Sequence, residues 1–116
     1  MTMIPLLLAL LVAAHPAPPV SPGNASIDYV GRGGIRDWHA DDDRGIYLRD
    51  RVNRWYYVAF RHSCPGVLYN PTIAFDTNGF NRFDRLSRVV TQTEVCGIES
   101  VDCSDAPQAK GGRAAH

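Results

Sequence analysis

One stretch, residues 35–66, constrains the fold more than any other part of the chain. Apolar or aromatic side chains recur there at every second position, first at Ile46 and Leu48 and again at Tyr56, Val58 and Phe60. A period of two is typical of strands with one buried face, because successive side chains of a strand point to opposite sides. The polar segments between these runs are short enough to be hairpin loops. The stretch therefore predicts three consecutive antiparallel strands that lead into a Cys-Pro-Gly corner.

The pattern continues beyond this stretch. Residues 72–76 are rich in strand-forming residues and end in a Thr-Asn-Gly turn signal, and residues 86–91 and 95–101 predict two further strands. Residues 80–85 form a polar and aromatic connection with room for one helical turn. A helical period is absent outside the N-terminal apolar run. We therefore predict an all-β domain, a small antiparallel barrel or sandwich of about six strands.

The two ends of the chain are predicted to lie outside the β domain. Residues 4–12 are an apolar run that is too short for a membrane-spanning helix, which needs roughly 20 residues. Small residues follow it, so residues 1–14 are predicted to be a signal peptide that directs export to the periplasm or out of the cell, with no transmembrane segment left after cleavage. The proline-rich residues 15–26 predict an extended, disordered linker, and residues 104–116 predict a disordered tail. One domain remains, residues 27–103.

The kind of charge is more informative than its balance. The formal net charge is +0 at pH 7, which gives no reason to predict nucleic-acid binding or adsorption to a membrane surface. Every cation of the domain is an arginine, whose guanidinium pairs with carboxylates and stacks on aromatic rings. We predict a side of the sheet where such residues alternate, which is either a solvated, self-paired surface or a binding face for an envelope protein or glycan. The possible binding face consists of Arg36, Trp38, Tyr47, Arg49, Arg54, Trp55 and Tyr57.

The cysteines predict a cross-link. An exported chain meets oxidising conditions, so Cys64, Cys96 and Cys103 are disulfide candidates, with one residue left over. A bridge between Cys64 and Cys96 closes a loop to which the chain-entropy model assigns about 3.7 kcal/mol. Pairing Cys96 with Cys103 would require the chain to turn back within a predicted strand. We therefore favour Cys64–Cys96 and leave Cys103 free at the edge of the domain or available for an intermolecular bridge.

Signs of catalysis or metal binding are weaker. Residues 62–64, His-Ser-Cys, place a base beside two nucleophiles, but neighbours on a strand end usually point apart, and a disulfide-bonded Cys64 could not react. Residues 41–43 are aspartates that fit a turn better than a calcium loop, and the cysteine spacing fits no zinc pattern. Asp37 and Asp84 could act as an acid/base pair only if the fold joined them. No catalytic residue, metal or cofactor is predicted.

Seven short motifs occur along the chain in a fixed order. They are IRDW at 35–38, DDR at 42–44, RWY at 54–56, CPG at 64–66, IAF at 73–75, FDRLS at 83–87 and CGIESV at 96–101. This ordered set resembles a family of small exported bacterial proteins that is classed only as a domain of unknown function. The resemblance implies that Cys64 and Cys96 are the pair of the family and that Cys103 is a departure from it. It implies no activity, cofactor or catalytic residue.

Two function classes are open at this point. The first is a non-catalytic binding or structural module of the cell envelope. The second is a hydrolase or metal-dependent enzyme of unknown substrate. The sequence favours the first class, because it shows no histidine-rich or carboxylate-rich constellation.

Overall fold

A computed structural model describes residues 22–108. The predicted signal peptide, the first part of the predicted linker and the end of the predicted tail lie outside these residues. The strands are β1 Ile27–Asp28, β2 Ile35–Asp41, β3 Gly45–Asp50, β4 Trp55–Phe60, β5 Ala74–Asp76, β6 Arg82–Phe83, β7 Arg88–Val90 and β8 Val95–Ser104. A 3-10 turn spans Val30–Arg32, and α1 spans Gly66–Tyr69. Within the described residues no helix has the length and apolarity needed to cross a membrane.

Six of the strands form one curled antiparallel sheet in the order β2-β3-β4-β8-β7-β5, a half-barrel. The remaining two, β1 and β6, pair with each other. The predicted all-β fold with about six antiparallel strands is therefore confirmed. In the hairpin of β3 and β4, Leu48 lies opposite Tyr56 and Ile46 opposite Val58. Because directly opposed residues share a face, the period-two pattern of the sequence becomes one continuous buried surface.

The core lies on one side of this sheet and includes residues of the β1–β6 pair. Ile27 and Phe83 are opposed in that pair and are 2% and 0% exposed. Phe83 also packs edge-on against Phe75, with ring centroids 5.3 Å apart. The fully buried side chains are Phe83, Ile27, Ile46, Leu48, Ile98, Val58, Val89, Val101 and Cys64. Residues 80–85 thus contain a strand instead of a helical turn, because burial of Phe83 selects the extended pairing with β1.

The predicted disulfide is present. Cys64 and Cys96 are bonded across a Cα–Cα distance of 6.0 Å, and Cys103 is free and exposed. The bond ties the corner before α1 to β8, next to the buried face of the sheet. The four-residue helix that follows Cys64 is too short to leave a helical period in the sequence, which explains why the pattern did not indicate it.

The segment before β1 also lies against the sheet. Asn24 forms an isolated parallel bridge with Val101 of β8, and the amide of Ala25 donates to the Val101 carbonyl at 2.9 Å. The amide of Gly23 donates to the Asp102 carboxylate at 2.6 Å. The packed part of the chain therefore includes residues 22–26, because free edge groups of β8 offer hydrogen bonds to them.

Candidate binding face

Three adjacent strands place a set of polar and aromatic side chains on the side of the sheet opposite the core. The register opposes Asp37 to Arg49 and Arg49 to Trp55, and it opposes His39 to Tyr47 and Tyr47 to Tyr57. On β3 and β4 their neighbours along the strand are buried, and on β2 Trp38 between them packs against the core, so alternation directs these side chains outward. We call this surface the outer face and define it by Asp37, His39, Asp41, Tyr47, Arg49, Trp55 and Tyr57.

Aromatic contacts between strands organise the outer face. The rings of Tyr47 and Tyr57 meet edge to face, with centroids 5.0 Å apart. The Trp55 ring has His39 beside it at a centroid distance of 5.6 Å, and the guanidinium carbon of Arg49 lies 5.9 Å from the Trp55 ring centroid. Such cross-strand pairs are favourable and restrict side-chain rotation. Trp55 is consequently held between a cationic and an imidazole side chain.

Close polar contacts hold the polar members in place. The Asp37 carboxylate lies 3.3 Å from Nε2 of His39 and 3.8 Å from the Arg49 guanidinium. Arg49 also donates to the side-chain carbonyl of Asn53 at 2.8 Å. The side chains of Asp37, His39 and Arg49 are still 42%, 31% and 32% exposed. The groups are thus positioned by one another and remain accessible to a ligand.

Tyr57 depends on a glycine of the neighbouring strand. A Cβ atom at Gly45 would lie 2.3 Å from the Tyr57 hydroxyl oxygen, so only glycine leaves room for the ring there. The hydroxyl donates to the Asp41 carboxylate at 2.8 Å. Burial, together with this hydrogen bond and the charge of Asp41, raises the pKa of Tyr57 to about 12. The phenol is therefore neutral at ordinary pH and serves as a fixed donor.

The structure brings together four of the seven residues predicted for the binding face. Tyr47, Arg49, Trp55 and Tyr57 share the outer face. Trp38 lies on the opposite side, because it is paired with Leu48 and packs against the core. The other two residues, Arg36 and Arg54, lie outside the face. Arg36 is exposed in the β-bulge between Ile35 and Asp37.

Arg54 supports the β3–β4 hairpin. Its backbone amide and Nε both donate to the carboxylate of Asp50, at 2.9 and 3.0 Å. The same carboxylate accepts from the Val52 amide and the Tyr56 hydroxyl, each at 3.0 Å. Asp50 is only 3% exposed, and burial alone would raise its pKa, but these four donors outweigh burial and lower it. Arg54 is therefore part of a structural cluster at the end of the hairpin.

Asp37, His39 and Asp41 belong to the outer face but were not assigned to it from the sequence. The signal that could have found them is the same period of two, since they alternate with Trp38 and Ala40 along β2. The apolar side of this alternation is weak because Ala40 is small and exposed.

The structure shows the contacts of the residues that were considered for catalysis and metal binding. Cys64 is in the disulfide and offers no thiolate, and the Ser63 hydroxyl donates to Asp43 at 2.6 Å. Asp37 lies on the outer face, whereas Asp84 pairs with Arg82 beside β6. Among the described residues one group has the closeness of a metal site, Cys64, Glu94 and Cys96, with ligand atoms within 4.8 Å of one another. Both of its sulfur atoms are occupied by the disulfide.

The aspartates at 41–43 form a turn. Asp41 accepts from Tyr57, and Asp43 accepts from Ser63. Asp42 between them is exposed and has φ 61°, a left-handed conformation that aspartate tolerates in turns. The carboxylates of Asp41 and Asp43 therefore accept hydrogen bonds from different neighbours.

Comparison with known proteins gives one result. Residues 2–115 match the model of a family of unknown function, DUF6491. No curated protein and no solved structure matches the chain significantly. Since the match covers almost the whole chain, the predicted resemblance to a family of unknown function is confirmed, and the protein belongs to the DUF6491 family.

Proposed function

We propose that the protein is an exported binding module of the bacterial cell envelope that holds a glycan on the outer face. The Cys64–Cys96 disulfide supports export, because such bonds form and persist in oxidising compartments. The apolar N-terminal segment of the sequence supports it as well.

The observation that carries the proposal is the setting of Trp55. Its ring stands on a regular strand, close to Arg49 of β3 and His39 of β2, and is partly exposed. Sites built on strands hold their side chains more firmly than sites on loops. A firmly held indole with polar side chains around it is a surface on which the apolar face of a sugar ring can stack.

The charges of the outer face favour a glycan over a protein. The centres of protein–protein interfaces are depleted in charged residues, whereas carboxylates here alternate with aromatic rings. Asp37 and Asp41 can accept hydrogen bonds from sugar hydroxyls, and Arg49 can donate to them. A few fixed polar groups among aromatic side chains is the usual composition of a small-ligand site.

The two tryptophans allow a sharp test. Trp55 lies on the outer face and Trp38 on the core side, so each can be made the only indole of the protein. The Trp38→Phe protein, titrated with chitotetraose, cellotetraose and tetragalacturonate, is expected to change its fluorescence with at least one saccharide. The Trp55→Phe protein is the matched control and is expected to show no change with that saccharide.

Two results would contradict the proposal. One is a fluorescence response that persists in Trp55→Phe and is absent in Trp38→Phe, since binding would then act on the core side. The other is the lack of any response in either protein, together with unchanged NMR amide signals of β2, β3 and β4.

A further inference from the structure

An open depression adjoins one end of the outer face. It is about 450 Å³ in volume, and its lining includes Arg44, Tyr57, Ala59, Arg61, His62 and Ser63. Two arginines and a histidine thus belong to the lining of one space, and no aspartate or glutamate does. Arginines that line a common depression are suited to an anionic group of a ligand.

Arg61 is held ready for such a group. Its backbone amide donates to the Gly97 carbonyl at 3.1 Å, and its Nε donates to the Ile98 carbonyl at 3.2 Å. The stem passes over Gly97, where an added Cβ would lie 3.7 Å from Cδ of Arg61. These contacts orient the guanidinium while its terminal nitrogen atoms make no hydrogen bond to the described part of the chain. A planar, fixed guanidinium binds a carboxylate with two parallel hydrogen bonds.

Arg44 borders the same space from the turn between β2 and β3. Its carbonyl accepts from the Phe60 amide at 2.9 Å, which fixes the turn against the end of β4. The ion pairs found within residues 22–108 use other arginines, so neither Arg44 nor Arg61 is neutralised in that way. Asp41 and Asp43 lie nearby but accept hydrogen bonds from Tyr57 and Ser63.

The local balance of charge indicates the class of anion. Two arginines line the depression, and the formal charges of Asp41 and Asp43 beside it balance theirs, so an anion is bound through hydrogen bonds from the guanidinium groups and not through a local surplus of charge. These aspartates repel one carboxylate less than a phosphate monoester, whose charge is about −1.5 to −2 at pH 7. Tyr57 and Ala59 line the depression and belong to the same side of β4 as Trp55. The four residue steps from Trp55 to Ala59 span about 13 Å, a length that an oligosaccharide can bridge.

We infer that the glycan is acidic: one sugar ring stacks on Trp55 and a uronic-acid carboxylate is bound between Arg44 and Arg61. This inference rests on the proposed glycan-binding function and adds the charge of the ligand to it.

The test compares tetragalacturonate with its methyl ester, in which the rings are the same and the carboxylates are masked. Affinities are measured from Trp55 fluorescence in the Trp38→Phe protein. We expect the acid to bind at least about tenfold more tightly than the ester, because hydrogen bonds from arginine to a charged carboxylate are stronger than those to a neutral ester. Arg44→Gln and Arg61→Gln are expected to remove most of that difference and to leave binding of the ester unchanged. Arg32→Gln, at an exposed arginine outside the depression, is the control.

The outcomes separate the two proposals. Equal binding of acid and ester through Trp55 would overturn the inference and leave the proposed function standing. If Trp55 fluorescence changes with neither the acid nor the ester, the NMR signals of Arg61 and His62 decide. Shifts caused by the acid alone support the carboxylate site without the stacking face. Unchanged signals overturn both proposals.

Discussion

The β3–β4 hairpin depends on a single buried carboxylate, that of Asp50. Its two oxygen atoms accept from two backbone amides, one guanidinium nitrogen and one buried hydroxyl, all at 2.9–3.0 Å. In Asp50→Asn one oxygen can still accept from the amides of Val52 and Arg54. The other oxygen becomes an NH₂ group that faces the Nε–H of Arg54 and the Tyr56 hydroxyl. The substitution therefore removes the charge and one acceptor while it preserves the shape of the side chain.

The expected loss follows from these contacts. The Arg54 side chain is 71% exposed and can bond to water instead, so its exposed pairing contributes little. The charge-assisted bonds to buried donors contribute more, and a hydrogen bond to a charged group is typically worth about 1.5–3 kcal/mol. We expect Asp50→Asn to lower the free energy of unfolding by about 2 kcal/mol. Asp50→Ala should cost about 4 kcal/mol, because it also leaves the backbone amides of Val52 and Arg54 without this acceptor.

Urea unfolding measured by circular dichroism checks this prediction. With a slope of about 1 kcal/mol per M, the midpoint of Asp50→Asn should fall by about 2 M. Asp28→Asn, at an exposed aspartate of β1, is the matched control and should shift the midpoint by less than about 0.5 M. The dependence of stability on acid pH is a second test of the Asp50 contacts. The folded state lowers the pKa of Asp50, so the stabilisation is present above its unfolded value of about 3.9 and is lost as pH falls through the folded value. A midpoint for Asp50→Asn equal to that of wild type would refute the structural role given to Asp50.

Two further predictions concern the disulfide and the outer face. Cys64→Ser should lower the free energy of unfolding by about 3.7 kcal/mol, because the unfolded chain loses a cross-link over 32 residues, whereas Cys103→Ser at an exposed position should change it by less than about 0.5 kcal/mol. Calorimetry without reductant measures both, and equal melting temperatures would contradict the assignment. The folded state raises the pKa of Tyr57 to about 12, above the value of about 10 for an unfolded chain, so its stabilisation is present below pH 10 and is lost as pH rises through 12. Tyr57→Phe should therefore show a smaller loss of stability between pH 10 and 12 than wild type, and an identical loss in the two proteins would count against the Tyr57–Asp41 hydrogen bond.

The parts of the fold that follow from local patterns were predictable from the sequence. Ile46, Leu48, Val58 and Phe60 alternate with polar or aromatic residues, and this alternation indicated strands β3 and β4 and their buried side. The strand predicted at residues 95–101 disfavoured a Cys96–Cys103 bond, and the preferred Cys64–Cys96 bond is the one present. The strands depend on neighbours in sequence, so composition and period were sufficient for them.

Other features depend on contacts between distant residues. Phe83 looks like part of a polar loop until its partner Ile27, far away in the sequence, is known. Trp38 and Tyr47 both look like face residues in a list of aromatics, but the β2–β3 register places them on opposite sides. Arginine is common in binding sites, but the Arg54 side chain donates a hydrogen bond to Asp50. Composition identified the right kinds of side chain, and the register decided which of them meet.

The same alternation separates stability from binding along β4. Tyr56 and Val58 point into the core, and their loss would remove buried contacts or the partner of Asp50. Trp55 and Tyr57 point outward and make cross-strand contacts at the surface. Because each class of residue occupies its own side of the strand, the outward positions can change with the ligand while the inward positions preserve the sheet. Gly45 is the exception, since it is buried in the neighbouring strand and yet makes room for Tyr57. A larger residue there would disturb the fold and the outer face together, so both of them require glycine at position 45.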